Sequence, residues 1–194
     1  LNSSDRIPAY EKWARQNDVR SDELAKQRKY HFSYEPKISI VIPAYRTSKK
    51  YLRELLQSIK NQTYAKWQLC IADGSGEDDC VEEVIKKYTA RDSRICYRRL
   101  EKNEGISGNT NEALKMADGE YIVLCDHDDV IPPNALFELV KALQDREVDI
   151  VYTDEDKISM DSSRRFDPNF KPDFNPDLLC STNYICHLFL FPRS

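Results

Sequence analysis

The chain lacks the features that mark several large classes of protein. It has no stretch of basic residues dense enough to neutralise a row of phosphates, and its net charge is −4, so no nucleic-acid binding is expected. No apolar run approaches the roughly 18 residues of a membrane-spanning helix, and the N-terminal residues do not resemble a signal peptide. These absences predict a cytoplasmic protein.

The cysteines also lack the spacing of a metal or redox site. None of the six forms a CxxC pair, and Cys70, Cys96 and Cys125 lie within or at the end of apolar runs. Structural thiols in a reducing compartment are therefore favoured over disulfides or a zinc site. The chain begins at Leu1 rather than Met and stops soon after an apolar run, which predicts a piece of a longer protein.

What the sequence does contain is a regular alternation of short apolar runs and amphipathic segments. The runs at 38–42, 67–72, 94–99, 121–125 and 149–152 predict strands, and 187–191 predicts a final strand. Between them, apolar residues recur at helical spacing. The inward faces of these helices are expected to carry Tyr51, Leu52, Leu55, Leu56 and Ile59; Val81, Val84, Ile85 and Tyr88; Ile106, Ala113, Leu114 and Ala117; and Leu136, Val140 and Leu143. The pattern predicts an α/β domain with a mostly parallel sheet flanked by helices.

Two segments fall outside this alternation. Residues 1–36 are polar and only weakly periodic, which predicts a helical or irregular lead-in before a domain at 37–194. Residues 166–179 contain three prolines, which predicts a structured loop over the sheet.

Polar residues follow four of the predicted strands. In a parallel sheet the carboxyl ends of the strands face one crevice, where ligands bind. The residues expected there are Pro43, Ala44 and Tyr45; Asp73, Gly74 and Ser75; Asp126, His127, Asp128 and Asp129; and Asp154, Glu155 and Asp156.

The acidic turn at 126–129 is the most specific of these features. Carboxylates about 5 Å apart repel by roughly 3 kcal/mol at an effective dielectric of about 20, so the turn favours a compensating Mg²⁺ or Mn²⁺ held by Asp126 and Asp128. The alternative is a solvated turn in which Asp129 caps the next helix. His127 and His187 are interpreted as packing or surface residues.

The remaining candidates have weaker signals. Asp73 can accept a hydrogen bond from a uracil or thymine imide, or can serve as a turn residue before Gly74. Asn103 and Gly105 open a helix whose backbone N–H groups can face an anion. Asp154, Glu155 and Asp156 can supply an acid or base, or form an exposed loop.

The motifs resemble those of family 2 glycosyltransferases. The residues that carry the resemblance are 38–45 (ISIVIPAY), 58–64 (SIKNQTY), 73–75 (DGS), 103–107 (NEGIS) and 126–129 (DHDD), in the family's order. The segments 152–158 (YTDEDKI) and 170–174 (FKPDF) resemble a bacterial branch that builds surface polysaccharides, including rhamnose-containing ones.

The resemblance implies a GT-A fold and inverting transfer from a nucleotide-diphosphate sugar of UDP or dTDP type. The acceptor would be a saccharide or a lipid-linked one, and the protein could be peripheral at the inner face of the plasma membrane. Pro43, Tyr45 and Asp73 would line the nucleoside pocket, with Asp126 and Asp128 as the DxD pair. The family's base would follow Ser194, in a C-terminal acceptor region that this chain lacks and that could contact the membrane. A scaffold domain and a sugar-phosphate nucleotidyltransferase are the alternatives, but the latter should carry a glycine-rich basic loop after the first strand.

Overall fold

A computed structural model describes residues 3–145 and 148–193, with only the backbone described for residues 3–8. The outer ends of the predicted segments 1–36 and 37–194 lie outside these residues. The described helices include none long and apolar enough to cross a membrane.

The main sheet is built from short strands that are mostly buried at its centre. They are β1 (Ile38–Ala44), β2 (Trp67–Asp73), β3 (Ile95–Arg99), β4 (Tyr121–Leu124), β5 (Val151–Tyr152) and β8 (Phe189–Pro192). Their order across the sheet is β3-β2-β1-β4-β8-β5. Strands β3, β2, β1 and β4 are parallel, and β8 runs antiparallel to both β4 and β5. The predicted mostly parallel sheet is confirmed.

Helices cover both faces of this sheet. They are α3 (Lys49–Lys60), α4 (Cys80–Thr89), α5 (Gly105–Leu114) and α6 (Ala135–Ala142). Side chains of β1 alternate between the two faces, so Ile40 packs in the core with α3, α4 and α6, whereas Val41 packs with α5 residues such as Ala113. Ser48 caps α3 by accepting a hydrogen bond from the backbone N–H of Lys50.

The lead-in segment is helical and packs on a second, smaller sheet. It forms α1 (Ser3–Asn17) and α2 (Ser21–Gln27), and α1 contacts β7 (Arg165–Asn169), which pairs with β6 (Glu155–Ile158). The Tyr10 hydroxyl donates to Asp156 Oδ2 at 2.6 Å. Because Trp13 also meets Phe170 edge-on at 5.4 Å, the lead-in is fastened to this strand pair by both polar and aromatic contacts.

Four local predictions are wrong. Residues 166–179 are not one loop, because they contain most of β7 and the start of α7 (Pro176–Ser181), which Asn175 caps. The acidic segment 154–156 is largely the start of β6 rather than a loop. Ile106 is 79% exposed, since it lies in the first turn of α5, away from the sheet. Asp129 does not cap α6, whose N-cap is Asn134.

Candidate functional site

The end of β4 and the start of β8 together build a cluster of three metal-ligating groups. Leu124 of β4 pairs with Phe189 of β8 in the antiparallel ladder. Asp126 lies two residues after Leu124 and His187 lies two residues before Phe189, so Asp126 and His187 also face each other. His187 Nε2 lies 3.1 Å from Asp126 Oδ2. One ligand atom each from Asp126, Asp129 and His187 lies within 4.8 Å of the others.

The charges in this cluster are unbalanced. The hydrogen bond between Asp126 and His187 lowers the pKa of the carboxyl and raises the pKa of the imidazole, in both cases against the effect of burial. Burial raises the pKa of Asp129, and the charges of Asp126 and Asp128 add to this effect. In this partly buried cluster, two carboxylates thus face one imidazole, an arrangement that a divalent cation would stabilise.

The predicted metal pair is only partly brought together. Asp126 is in the cluster, whereas Asp128 is exposed and lies outside the group of three. His127 is half-buried, and its Nδ1 is buried with no partner among the described residues; the same holds for Nδ1 of His187. Asp129 and His187 therefore enter the candidate site in roles that the sequence did not indicate.

The ends of β1 and β2 lie side by side next to this cluster. Ala44 and Asp73 are partners in the parallel ladder, and both are buried. The Asp73 carboxylate accepts hydrogen bonds from the Ser75 backbone N–H at 3.0 Å, from the Ser75 hydroxyl, and from the Tyr97 hydroxyl at 2.8 Å. Three of the roughly four acceptor positions of this carboxylate are taken. Asp73 therefore also fixes the positions of Ser75, just after β2, and of Tyr97 in β3.

The neighbouring loop is closed by a pair of asparagines. Asn103 Oδ1 accepts from the Gly105 N–H and from Asn109 Nδ2, each at 3.0 Å, while Asn109 Oδ1 accepts from Glu104 N–H at 3.1 Å. Gly105 has a φ of +75°, a conformation that glycine adopts without steric cost. The first residues of α5 stay exposed, as the predicted anion-facing role requires.

Two further predicted residues border this edge. Pro43 is half-buried inside β1, which continues through it to Ala44. Tyr45 follows with its ring 40% exposed, next to the guanidinium of Arg46 at 5.3 Å from the ring centroid. An exposed ring in this position is available to stack on a ligand.

The acidic residues 154–156 do not lie in the cluster. Asp154 accepts from the Lys171 backbone N–H at 2.8 Å, Glu155 binds the Lys171 ammonium at 3.1 Å, and Asp156 binds Arg165 at 2.6 Å and Tyr10. All three carboxylates thus fasten neighbouring segments of the chain. This geometry favours a structural role over the acid or base role, which the sequence left open beside an exposed loop.

The chain matches known proteins along most of its length. A family model for glycosyl transferase family 2 covers residues 39–191. The chain is 42% identical over 157 residues to the uncharacterized protein y4gI of Sinorhizobium fredii, covering 80% of this chain and 17% of the relative. It is 30% identical over 185 residues to the O-antigen biosynthesis protein RfbC of Myxococcus xanthus, covering 95% and 14%. It is 32% identical over 161 residues to a hyaluronan synthase of Pasteurella multocida, covering 82% and 16%. The chain therefore spans less than a fifth of the length of these relatives.

Solved structures share its fold. S. aureus TarS 1-349 in complex with UDP superposes with a TM-score of 0.55 at 28% identity, covering 60% of this chain and 34% of that one. The mannosyltransferase PcManGT of Pyrobaculum calidifontis, in complex with GDP-Man and Mn²⁺, gives a TM-score of 0.56 at 22% identity, covering 66% and 40%. These neighbours confirm the expected GT-A fold. With the family model matched from Ser39 to Phe191, the chain belongs to glycosyl transferase family 2.

Proposed function

We propose that this chain is the domain of an inverting glycosyltransferase that binds a nucleotide-diphosphate sugar for the synthesis of a bacterial surface polysaccharide. The observation that carries the proposal is the cluster of Asp126, Asp129 and His187, at the same end of the parallel sheet as Asp73. Relatives named for O-antigen biosynthesis and hyaluronan synthesis support the polysaccharide. A saccharide or a lipid-linked chain would be the acceptor.

The donor groups of the cluster fit a divalent metal. Asp126 and Asp129 offer carboxylate oxygens and His187 offers Nε2, and three protein ligands leave positions for water and a diphosphate. An imidazole beside carboxylates favours Mn²⁺ over Mg²⁺, which takes oxygen almost exclusively. A bound cation would offset the negative charge that grows on the departing nucleoside diphosphate. In the alternative DxD assignment Asp128 replaces Asp129, acting directly or through water.

The strand ends and the loop before α5 would hold the nucleotide. Tyr45 would stack on the base, with Pro43 and Ala44 beneath it. Asp73 and Ser75 would form the polar wall. Asn103 and Gly105 would shape the start of α5, whose following backbone N–H groups would face the phosphates. The family resemblance implies a donor of UDP or dTDP type, so UDP and dTDP are the nucleotides to test first.

Inversion requires a base that removes the proton of the acceptor hydroxyl. Since Asp154, Glu155 and Asp156 are engaged in contacts that fasten the chain, we propose that none of them is this base. The chain on its own would then bind the donor but transfer sugar slowly or not at all. Fast turnover by residues 1–194 with UDP-sugar and acceptor would contradict this part of the proposal.

Calorimetry tests the proposal directly. UDP, UTP, dTDP and GDP are titrated into the chain with and without Mn²⁺. The variant Asp126→Asn is compared with Asp118→Asn, which changes an exposed carboxylate paired with Lys37. The expected result is diphosphate binding that requires Mn²⁺ and is lost only in Asp126→Asn. A preference for UTP over UDP would indicate nucleotidyl transfer, and no binding of any nucleotide would indicate a scaffold; either result overturns the proposal.

A further inference from the structure

The ammonium group of Lys171 is enclosed by the protein and fully hydrogen-bonded. The side chain is 1% exposed, and Nζ donates to Glu155 Oε2 at 3.1 Å, to the Ile185 carbonyl at 2.6 Å and to the His187 carbonyl at 2.7 Å. A buried ammonium is costly unless its three donors are satisfied, and here each of them has an acceptor. This lysine therefore fastens the loop after β7 to the segment that leads into β8.

The segment that Lys171 holds does not have a relaxed backbone. Cys186, between the two carbonyls that accept from the lysine, has a φ of +43°, in the left-handed region that is unfavourable for a residue with a Cβ. Such a conformation persists only where its surroundings determine it. Lysine bonds on both sides of Cys186 supply that constraint, together with the bond from the Leu188 N–H to Thr153 Oγ1 at 3.1 Å.

His187 connects this anchor to the candidate metal site. Its carbonyl accepts from Lys171, while its ring reaches Asp126 on the far side. Glu155, in β6, binds the ammonium group of the lysine. Asp154, the residue before β6, accepts a hydrogen bond from the lysine's backbone N–H. Asp154 and Glu155, two of the three acidic residues considered as an acid or base in the sequence, are thus placed to act on the site through Lys171.

We propose that Lys171 is a positioning residue for His187: its ammonium fixes the backbone on both sides of Cys186, and thereby sets the imidazole against Asp126. The inference rests on the proposed metal site for its effect on binding, but the positioning itself is a property of the metal-free chain. Residues that orient a metal ligand typically change metal affinity by about 10- to 100-fold when they are removed.

The test compares Lys171→Met, which keeps length and loses all three donors, with Lys157→Met, which removes an exposed lysine paired with Asp167. Mn²⁺ binding is followed by the EPR signal of the free ion, with and without UDP, well below the melting temperature of every variant. Lys171→Met should raise the Kd for Mn²⁺ at least about tenfold, and Lys157→Met should leave it unchanged. Equal affinity of both variants would overturn the proposal.

A double-mutant cycle separates positioning from a general loss of stability. If Lys171 acts through His187, then Lys171→Met should cause no further loss of Mn²⁺ affinity in a His187→Ala background. Additive losses would overturn the proposal, because a merely structural lysine would weaken both backgrounds alike.

A second readout and a second variant do not depend on metal. Amide hydrogen exchange at Leu188 and Thr153, which are hydrogen-bonded to each other across the two segments, should accelerate in Lys171→Met and not in Lys157→Met. If Lys171→Met fails to fold, Lys171→Met/Glu155→Gln removes the unpaired charge, and the same acceleration is expected. Unchanged exchange overturns the positioning, whereas faster exchange in a chain that never binds Mn²⁺ contradicts only the proposed metal site.

Discussion

Replacing Asp129 by Asn should stabilise the metal-free chain and remove most of its stabilisation by Mn²⁺. Charges at the 4.8 Å limit of the cluster repel by about 3 kcal/mol at an effective dielectric of about 20. The side chain of Asp126 is 48% exposed, so solvent screening reduces this value to about 1 kcal/mol. For a chain of this length, that corresponds to a rise in the melting temperature of about 2–4 °C.

The pKa of Asp129 gives the same sign. Burial and its acidic neighbours raise this pKa above that of the unfolded chain, so the destabilisation is present at neutral pH and disappears as the pH falls through the folded-state pKa. Asn, which carries no charge, should remove this pH dependence. Thermal unfolding is best measured at pH 8. There His187 carries less positive charge, so it masks less of the repulsion between Asp126 and Asp129.

Mn²⁺ should reverse the ranking of the variants. At about 100 times its Kd the ion stabilises the wild-type chain by about 2.7 kcal/mol, or roughly 5–10 °C. Asp129→Asn should lose most of this shift, whereas Asp128→Asn, at an exposed position, should keep it and melt near the wild type without metal. If Asp128→Asn loses the shift and Asp129→Asn retains it, the DxD assignment is right and the assignment from the cluster is wrong.

Three other predictions follow from single contacts of the site. Tyr97→Phe removes the 2.8 Å hydrogen bond to the buried Asp73 carboxylate and should cost about 2 kcal/mol in urea unfolding; an unchanged midpoint would contradict it. Gly74→Ala places a Cβ 2.7 Å from Asn109 Nδ2, so it should destabilise by about 1–3 kcal/mol. Combined with Asn109→Ala, it should cost less than the sum of the two single changes. The affinity for Mn²⁺ should rise from pH 6 to 8, because His187 must lose a proton held by its raised pKa, and His187→Ala should flatten this rise in calorimetry. In the metal-free chain the ion pair between Asp126 and His187 should stabilise the fold most below about pH 6.5, and this stabilisation should be lost as the pH rises through the raised pKa of His187.

The parallel part of the fold could be predicted because each element carries its own signal. The β-branched residues of β1 and the spacing of Leu52, Leu55 and Ile59 on α3 define a buried strand and an amphipathic helix without knowledge of their partners. Because parallel strands present their carboxyl ends to one edge of the sheet, this pattern then predicted that Asp73 and Asp126 lie at the same edge.

The remaining part of the site depends on pairing that local patterns do not encode. His187 reaches Asp126 only because β8 runs antiparallel to β4. An apolar run of five residues predicts a strand but does not show whether that strand is parallel or antiparallel to its neighbour. Whether Asp128 or Asp129 faces Asp126 depends on the backbone conformation of the turn, because the two side chains point in different directions. The exposed first turn of α5 misled the assignment of Ile106 for a related reason, because a helix one turn longer than its contact with the sheet has the same apolar spacing.

The acidic residues of β6 show how a charged sequence motif can influence a site without entering it. Asp156 is bound by Arg165 and by Tyr10 of the lead-in helix, and Glu155 is bound by Lys171, whose ammonium reaches the carbonyl of His187. Contacts therefore run without interruption from the N-terminal helix to the ring that meets Asp126. A clustered acidic motif after a strand is expected at a reacting centre when its carboxylates are unpaired, but here each one has a cation or a backbone donor. The charge of Glu155 stabilises the lysine anchor, whereas at the turn of residues 126–129 the carboxylates of Asp126 and Asp129 share one imidazole, that of His187.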